Sequence, residues 1–263
     1  TICTTIIQNI IQTRPFIFNK MYYIDLFAGS GLNKIKDTTD DLFIGSPMIA
    51  VLNHSEKYNE VILCEEDQER FNALKERVSI LRNNKNIYLR DGCYKTALDE
   101  IIKKVEGPKT YSFFFVDPYA MEFDWDSMKK ILSVRSDIIF NFMTGQIRRE
   151  VEAGKDKKRN SKKLLEYFGD DSWKNVKSDD ELLEVYTNNI KKVREDAIIK
   201  TIKIHSEKHG FRYHLFFITK KTSKGDWIKA IEQAKDEIEK QSDIAVERAL
   251  DIVKKRQKTL YDI

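Results

Sequence analysis

Residues 22–31 read Tyr22-Tyr23-Ile24-Asp25-Leu26-Phe27-Ala28-Gly29-Ser30-Gly31, an apolar run that carries one carboxylate and then breaks into two glycines. Such a run is a strand, and its end is a tight turn. Glycine has no Cβ and adopts positive φ, so a turn of this kind after the first strand of an open α/β sheet lets the backbone pass close to a nucleotide-like ligand. The two glycines alone more often mark a plain tight loop. A dinucleotide fingerprint would place a third glycine where this chain has Lys34. Asp25, inside the strand tip ahead of Gly29, narrows the ligand class. A pyrophosphate would be repelled by a carboxylate there, whereas a ligand carrying an ammonium group is compatible with one.

Outward from this stretch, strands and helices alternate. Apolar runs fall at Val61 to Cys64, Ile87 to Leu89, Ser112 to Val116 and Asp137 to Phe142. Helical patterns separate them. Ser46-Pro47 reads as a cap followed by a first-turn proline, opening a helix to about Asn53. Phe71, Leu74, Val78 and Leu81 recur at helical spacing over Asp67 to Arg82, and Leu98, Ile101, Ile102 and Val105 do so over Tyr94 to Val105. A further helix is expected after Asp126, built around Met128, Ile131 and Leu132. Strands interleaved with helices form a parallel sheet covered on both faces. The end of the sheet differs. Ile198 to His205 and Phe211 to Lys220 are joined by five residues, too few for a crossover helix, so they pair antiparallel. Between them and the fifth strand lies a helical region over residues 160–194. A long amphipathic stripe runs from Asp226 to Gln257, suited to packing on the core or to binding a partner protein.

At 263 residues with 41% hydrophobic and 11% aromatic content, the chain can bury a substantial core. No apolar run reaches the ~20 residues needed to span a bilayer, and residues 1–20 lack the pattern of a secretory signal. A cytoplasmic protein without a membrane partner is expected; the start at Thr1 rather than Met leaves room for a processed or missing leading piece. Cys3, Cys64 and Cys93 are far apart and form no C-x-x-C pair, so neither a disulfide framework nor a metal site is indicated. Net charge is only +4, but Lys and Arg crowd the segment from Arg148 to Lys163. It is either a solvated loop or helix start, or a surface in which Arg148, Arg149, Lys157, Lys158 and Arg159 meet nucleic-acid phosphates, DNA or RNA.

Five helix-linked strands closed by an antiparallel hairpin match the class I S-adenosylmethionine-dependent methyltransferase fold. YIDLFAGSG, ILCEEDQERF and FFFVDPYA occur in the order that fold requires. Together with GSPMIA at Gly45 to Ala50, they make residues 22–142 resemble the three-Cys-motif partner family, whose core is methyltransferase-like. The resemblance implies a Rossmann-like α/β domain that binds S-adenosyl-L-methionine. By position, Asp25, Phe27, Gly29 and Gly31 would hold the methionine end, Glu65 the ribose hydroxyls, and Asp91 and Cys93 the adenine. Glu66 and Asp67 compete with Glu65 for the ribose, and Asp67 is alternatively a helix cap; Asp91-Gly92 also reads as a simple turn.

Asp117-Pro118-Tyr119 resembles the motif by which amino-group methyltransferases hold and stack their target, and these three residues are the expected catalytic group. It departs from that motif in lacking the second proline and in bringing the aromatic one position early. A structural proline turn is the alternative. Carbon-5 cytosine chemistry is disfavoured because residues 117–160 contain no cysteine nucleophile. The organisation expected is a nucleotide-binding half over 1–147, a helical insertion with the basic segment over 148–195, the hairpin over 196–225 and a C-terminal helical extension over 226–263. The function expected is methyl transfer to an amine of a nucleic acid; the competing reading is a methyltransferase-fold binding subunit that works with a partner protein.

Overall fold

The computed structural model describes residues 18–34, 42–54, 58–81, 85–157, 161–206 and 211–220, together with Glu232 and Lys235. The expected helix over 226–257 otherwise lies outside the described residues, as do Cys3, Lys158 and Arg159. Seven strands form one sheet: β1 (Lys20–Asp25), β4 (Glu60–Glu65), β5 (Ile87–Asp91), β6 (Thr110–Val116), β7 (Ser136–Phe142), β8 (Ala197–Ser206) and β9 (Phe211–Lys220). Their spatial order is β5-β4-β1-β6-β7-β9-β8. The first five are parallel, and β9 runs antiparallel to both β7 and β8. A second ribbon, β2 (Leu32–Lys34) against β3 (Leu42–Ile44), follows the glycine turn and had no clear periodic signal.

Strand alternation sorts the core into two layers. Tyr22, Ile24, Phe114, Val116, Phe140 and Phe142 face α3 (Tyr94–Val105), α4 (Trp125–Ser133) and α5 (Thr144–Lys157). Tyr23, Leu63, Phe113 and Ile139 face the opposite side, with α1 (Ser46–His54) and α2 (Gln68–Ser79). Asp25 and Asn141 share the parity of that second face. This places them at strand tips on the α1 and α2 side.

Local chemistry sets the helix starts. Asp67 accepts from the Arg70 amide at 2.9 Å and caps α2, so it is a cap rather than a free ligand group. Asp124, not Asp126, caps α4: its carboxylate accepts from the Ser127 amide at 2.7 Å, and Trp125 enters the first turn to meet Tyr186 edge-on. Helix α5 begins at Thr144, with Ile147 and Val151 fully buried in the core. The expected boundary at residue 148 therefore falls inside a core helix. The insertion proper is α6 (Ser161–Phe168), a 3-10 turn (Ser172–Asn175) and α7 (Asp179–Val193).

Arg194 ends the insertion and anchors it. It is 7% exposed, and its guanidinium donates to the carbonyls of Ile131, Leu132, Val134 and Ser136 at 2.7–3.1 Å. These include the last carbonyls of α4, which have no partner within the helix and attract a cation. Arg194→Met should lower stability by about 3 kcal/mol or more, since it strands several buried carbonyls that had charge-assisted bonds. Urea denaturation measures this, and an unchanged midpoint would refute the anchoring role.

Candidate functional site

The carboxyl ends of β1, β4 and β6 converge on one cleft. Asp25 closes β1 and is fully buried. Its carboxylate accepts from the Phe27 amide at 3.1 Å and from the Ser46 hydroxyl at 2.8 Å. Both oxygens are thus engaged by protein, and Asp25 shapes the turn from beneath rather than lining the cleft. Burial pushes its pKa up to about 7, and the neighbouring Asp117 and Glu65 carboxylates add to the rise.

Above it the chain turns through Gly29 (φ +65°) and Gly31 (φ +82°). These angles are strained for any residue with a Cβ. A Cβ on Gly31 would also lie 2.8 Å from Met48 Cγ, because Gly31 accepts the Gly45 amide at 2.9 Å and holds the start of α1 close. A Cβ on Gly29 would meet nothing within 4 Å. That open space belongs to a cleft of about 380 Å³ bordered by Leu26, Phe27, Gly29, Glu65, Arg70, Tyr94, Asp117 and Tyr119.

Glu65 ends β4 and is 8% exposed. Oε2 accepts the Gly29 amide at 2.6 Å and Oε1 the Asp67 amide at 2.9 Å. One carboxylate therefore joins the glycine turn to the start of α2, while still bordering the cleft. Asp91 ends β5 in an exposed position and lines neither this cleft nor the larger one beside it. That larger cleft, about 660 Å³, shares Phe27, Glu66, Tyr94 and Glu122 with the first and continues past Cys93 to α6.

Asp117 follows β6 and borders the smaller cleft. Crowding by protein raises its pKa, and a 2.6 Å hydrogen bond from Asn141 Nδ2 opposes that rise. Pro118 is buried, and Tyr119 projects outward at 69% exposure. Ala120 adopts φ +55°, the only non-glycine positive φ among the described residues, in a buried position. Strain of that kind is held at a site by its surroundings.

The basic segment divides. Arg148 pairs with Glu152 at 2.7 Å and donates to the Lys177 carbonyl; Lys155 donates to the Val176 carbonyl. These two cations fasten α5 to the insertion. Arg149 is exposed, and Lys157 ends α5. Asn141 is the residue that sequence reasoning missed. Its signal was present as a polar side chain within the apolar run Ile138 to Phe142, the same kind of interruption that marks Asp25.

Among the described residues no group of three or more His, Cys, Asp or Glu is arranged to hold a metal, and no helix is long and apolar enough to cross a membrane. No protein-family model and no curated protein matches the chain. Its fold is similar to that of protein LPL1258 from Legionella pneumophila str. Philadelphia 1, of family DUF519, at a TM-score of 0.56 and 13% identity over 88% of this chain and 86% of that one. Further matches include an O-methyltransferase from Bacillus cereus in complex with SAH (TM-score 0.43, 10% identity, 82% and 80% coverage) and the B. subtilis M1A22 tRNA methyltransferase (TM-score 0.36, 13% identity, 80% and 65% coverage). The strand order, with its antiparallel β9 between β7 and β8, is that of the Rossmann-like class I methyltransferase fold.

Asp25 titrates in the folded chain near 7 and, unfolded, near the ordinary 3.8. Between those values the native state holds a proton that the unfolded state has lost, so stability falls as pH rises, by roughly 1.4 kcal/mol per pH unit at most. Above about 7 the contribution is flat. Asp25→Asn should remove this slope from pH-dependent urea unfolding; an identical profile in the variant would show that Asp25 ionises normally.

Proposed function

We propose that the chain is an S-adenosylmethionine-dependent methyltransferase that acts on an amine of a nucleic acid, located in the cytoplasm. The observation that carries the reading is the open space at Gly29, in a cleft bordered by the acidic side chains of Glu65, Glu66, Asp67, Asp117 and Glu122. A cleft with that charge suits a cation bearing an ammonium and a sulfonium, and opposes a pyrophosphate. The residues fit such a cofactor. Gly29 and Gly31 would admit its methionine end, and Glu65, already oriented by two amides, would accept from the ribose hydroxyls. The larger cleft past Phe27, Tyr94 and Cys93 offers room for the adenine. When bound, the cofactor supplies an activated methyl group. The chain then needs little acid–base power, because a correctly held amine gains most from proximity and orientation.

Asp117 is the residue that would accept a hydrogen bond from the amine, and exposed Tyr119 would stack on the planar base that carries it. The order of motifs and the Ser46–Asp25 bond, which gives GSPMIA a physical reason to accompany YIDLFAGSG, support membership of the three-Cys-motif partner family. The missing second proline and outward Tyr119 favour a second reading, a binding subunit for a partner protein with little catalysis. Calorimetry with S-adenosylmethionine and methyl transfer to RNA and DNA oligonucleotides separate the two. Glu65→Gln should weaken cofactor binding about tenfold or more, one charge-assisted bond being worth roughly 1.5–3 kcal/mol. Asp117→Ala should abolish transfer and leave cofactor affinity intact. Wild-type turnover in Asp117→Ala would refute the assignment, and cofactor binding without transfer would support the subunit reading.

Nucleic-acid contact is assigned to Arg149, Lys157, Lys158 and Arg159, with Arg148 committed to the insertion. Reversing the charge of Lys157, Lys158 and Arg159 should weaken RNA or DNA binding and flatten its salt dependence, since each lost phosphate contact removes released counterions. An unaltered salt slope would make the segment an ordinary solvated surface.

A further inference from the structure

Strands β6 and β7 are parallel, and their register sets Val116 beside Phe140. The next residues, Asp117 and Asn141, come abreast at the strand tips with the same facing. Asn141 Nδ2 donates to Asp117 Oδ1 at 2.6 Å. An ionised carboxylate offers only acceptors, so the amide must present its nitrogen to Asp117 and turn its oxygen away. That oxygen is closed to solvent and has no hydrogen-bond partner. A buried acceptor left unsatisfied is a cost, and an apolar or hydroxyl side chain in β7 would avoid it. Packing therefore gives no reason for asparagine here; the bond to Asp117 does.

We propose, resting on the methyltransferase reading, that Asn141 is a positioning residue for the acceptor: its amide nitrogen fixes the Asp117 carboxylate by one oxygen and leaves the other directed to the substrate amine. The ionisable groups gathered around that carboxylate are Asp25 from β1, Glu65 and Glu66 from the end of β4, Asp67 and Arg70 at the start of α2, Tyr94 from α3, and Tyr119 and Glu122 from its own loop. Asn141 makes the direct hydrogen bond to it among the described residues. The carboxylate stands among several other acids, and without that donor it would turn freely and take up a proton more readily. An amine with two N–H donors needs one carboxylate oxygen held free, charged and still.

The test is a carbon-13 NMR titration of the Asp117 carboxyl in the wild type, Asn141→Ala and the near-isosteric Asn141→Asp, with S-adenosylmethionine affinity and methyl transfer to single-stranded RNA measured alongside. Asn141→Ala should raise the Asp117 midpoint by roughly one pH unit, the value of one charge-assisted bond. Asn141→Asp should raise it further by adding a like charge. Cofactor affinity should hold while kcat falls and its acid limb moves up with the midpoint. An unchanged Asp117 titration in both variants overturns the proposal, as does a fall in kcat with no movement of the acid limb, which is what a structural role would give. If the wild type binds no S-adenosylmethionine while the midpoint still moves, the methyltransferase reading fails and the Asp117–Asn141 coupling stands.

Discussion

The buried carboxyl of Asp25 joins three parts of the chain in one geometry. It ends β1, receives the Phe27 amide within the glycine turn, and receives the Ser46 hydroxyl at the start of α1. A carboxyl removed from water is unfavourable unless its oxygens are bonded. Both are, so the turn can close in only a few ways. From this follow the positive φ of Gly29 and Gly31, the close approach of Met48 to Gly31, and the open space above Gly29. Glu65 completes the frame from the neighbouring strand by taking the Gly29 and Asp67 amides. The cleft is thus framed by two carboxylates satisfied by the Phe27, Gly29 and Asp67 amides and the Ser46 hydroxyl.

Much of the fold was legible because its signals are local. Apolar strands, helical spacing over residues 94–105 and the short link between the last two strands each report on adjacent residues. The Asp67 cap was also visible as an alternative, since a cap acts within three residues. Boundaries that depend on distant packing were less legible. Asp124 and Asp126 are both competent caps, and the choice rests on Trp125 reaching Tyr186 in the insertion.

At the site, residue types were legible and their partners were not. Glu65 meets Gly29 across 36 positions, and Asn141 meets Asp117 across 24. No periodicity encodes such pairs; they arise when parallel strands fall into register. The basic segment shows the same limit. Charge density marks it, but only the packing of α5 against the 3-10 turn reveals that Arg148 and Lys155 spend their charge on carbonyls of residues 176 and 177. Asp91, placed at a ligand contact by strand order, ends the edge strand β5 in an exposed position.

On the proposed reading, this turn and the carboxylates around it select a cationic nucleoside over an anionic one. Incubating the protein with equal concentrations of S-adenosylmethionine, NAD and ATP, removing free ligand by gel filtration, and identifying what denaturation releases by mass spectrometry tests it directly. S-adenosylmethionine alone should be retained. Retention of NAD or ATP in its place, or of no nucleoside, would contradict it.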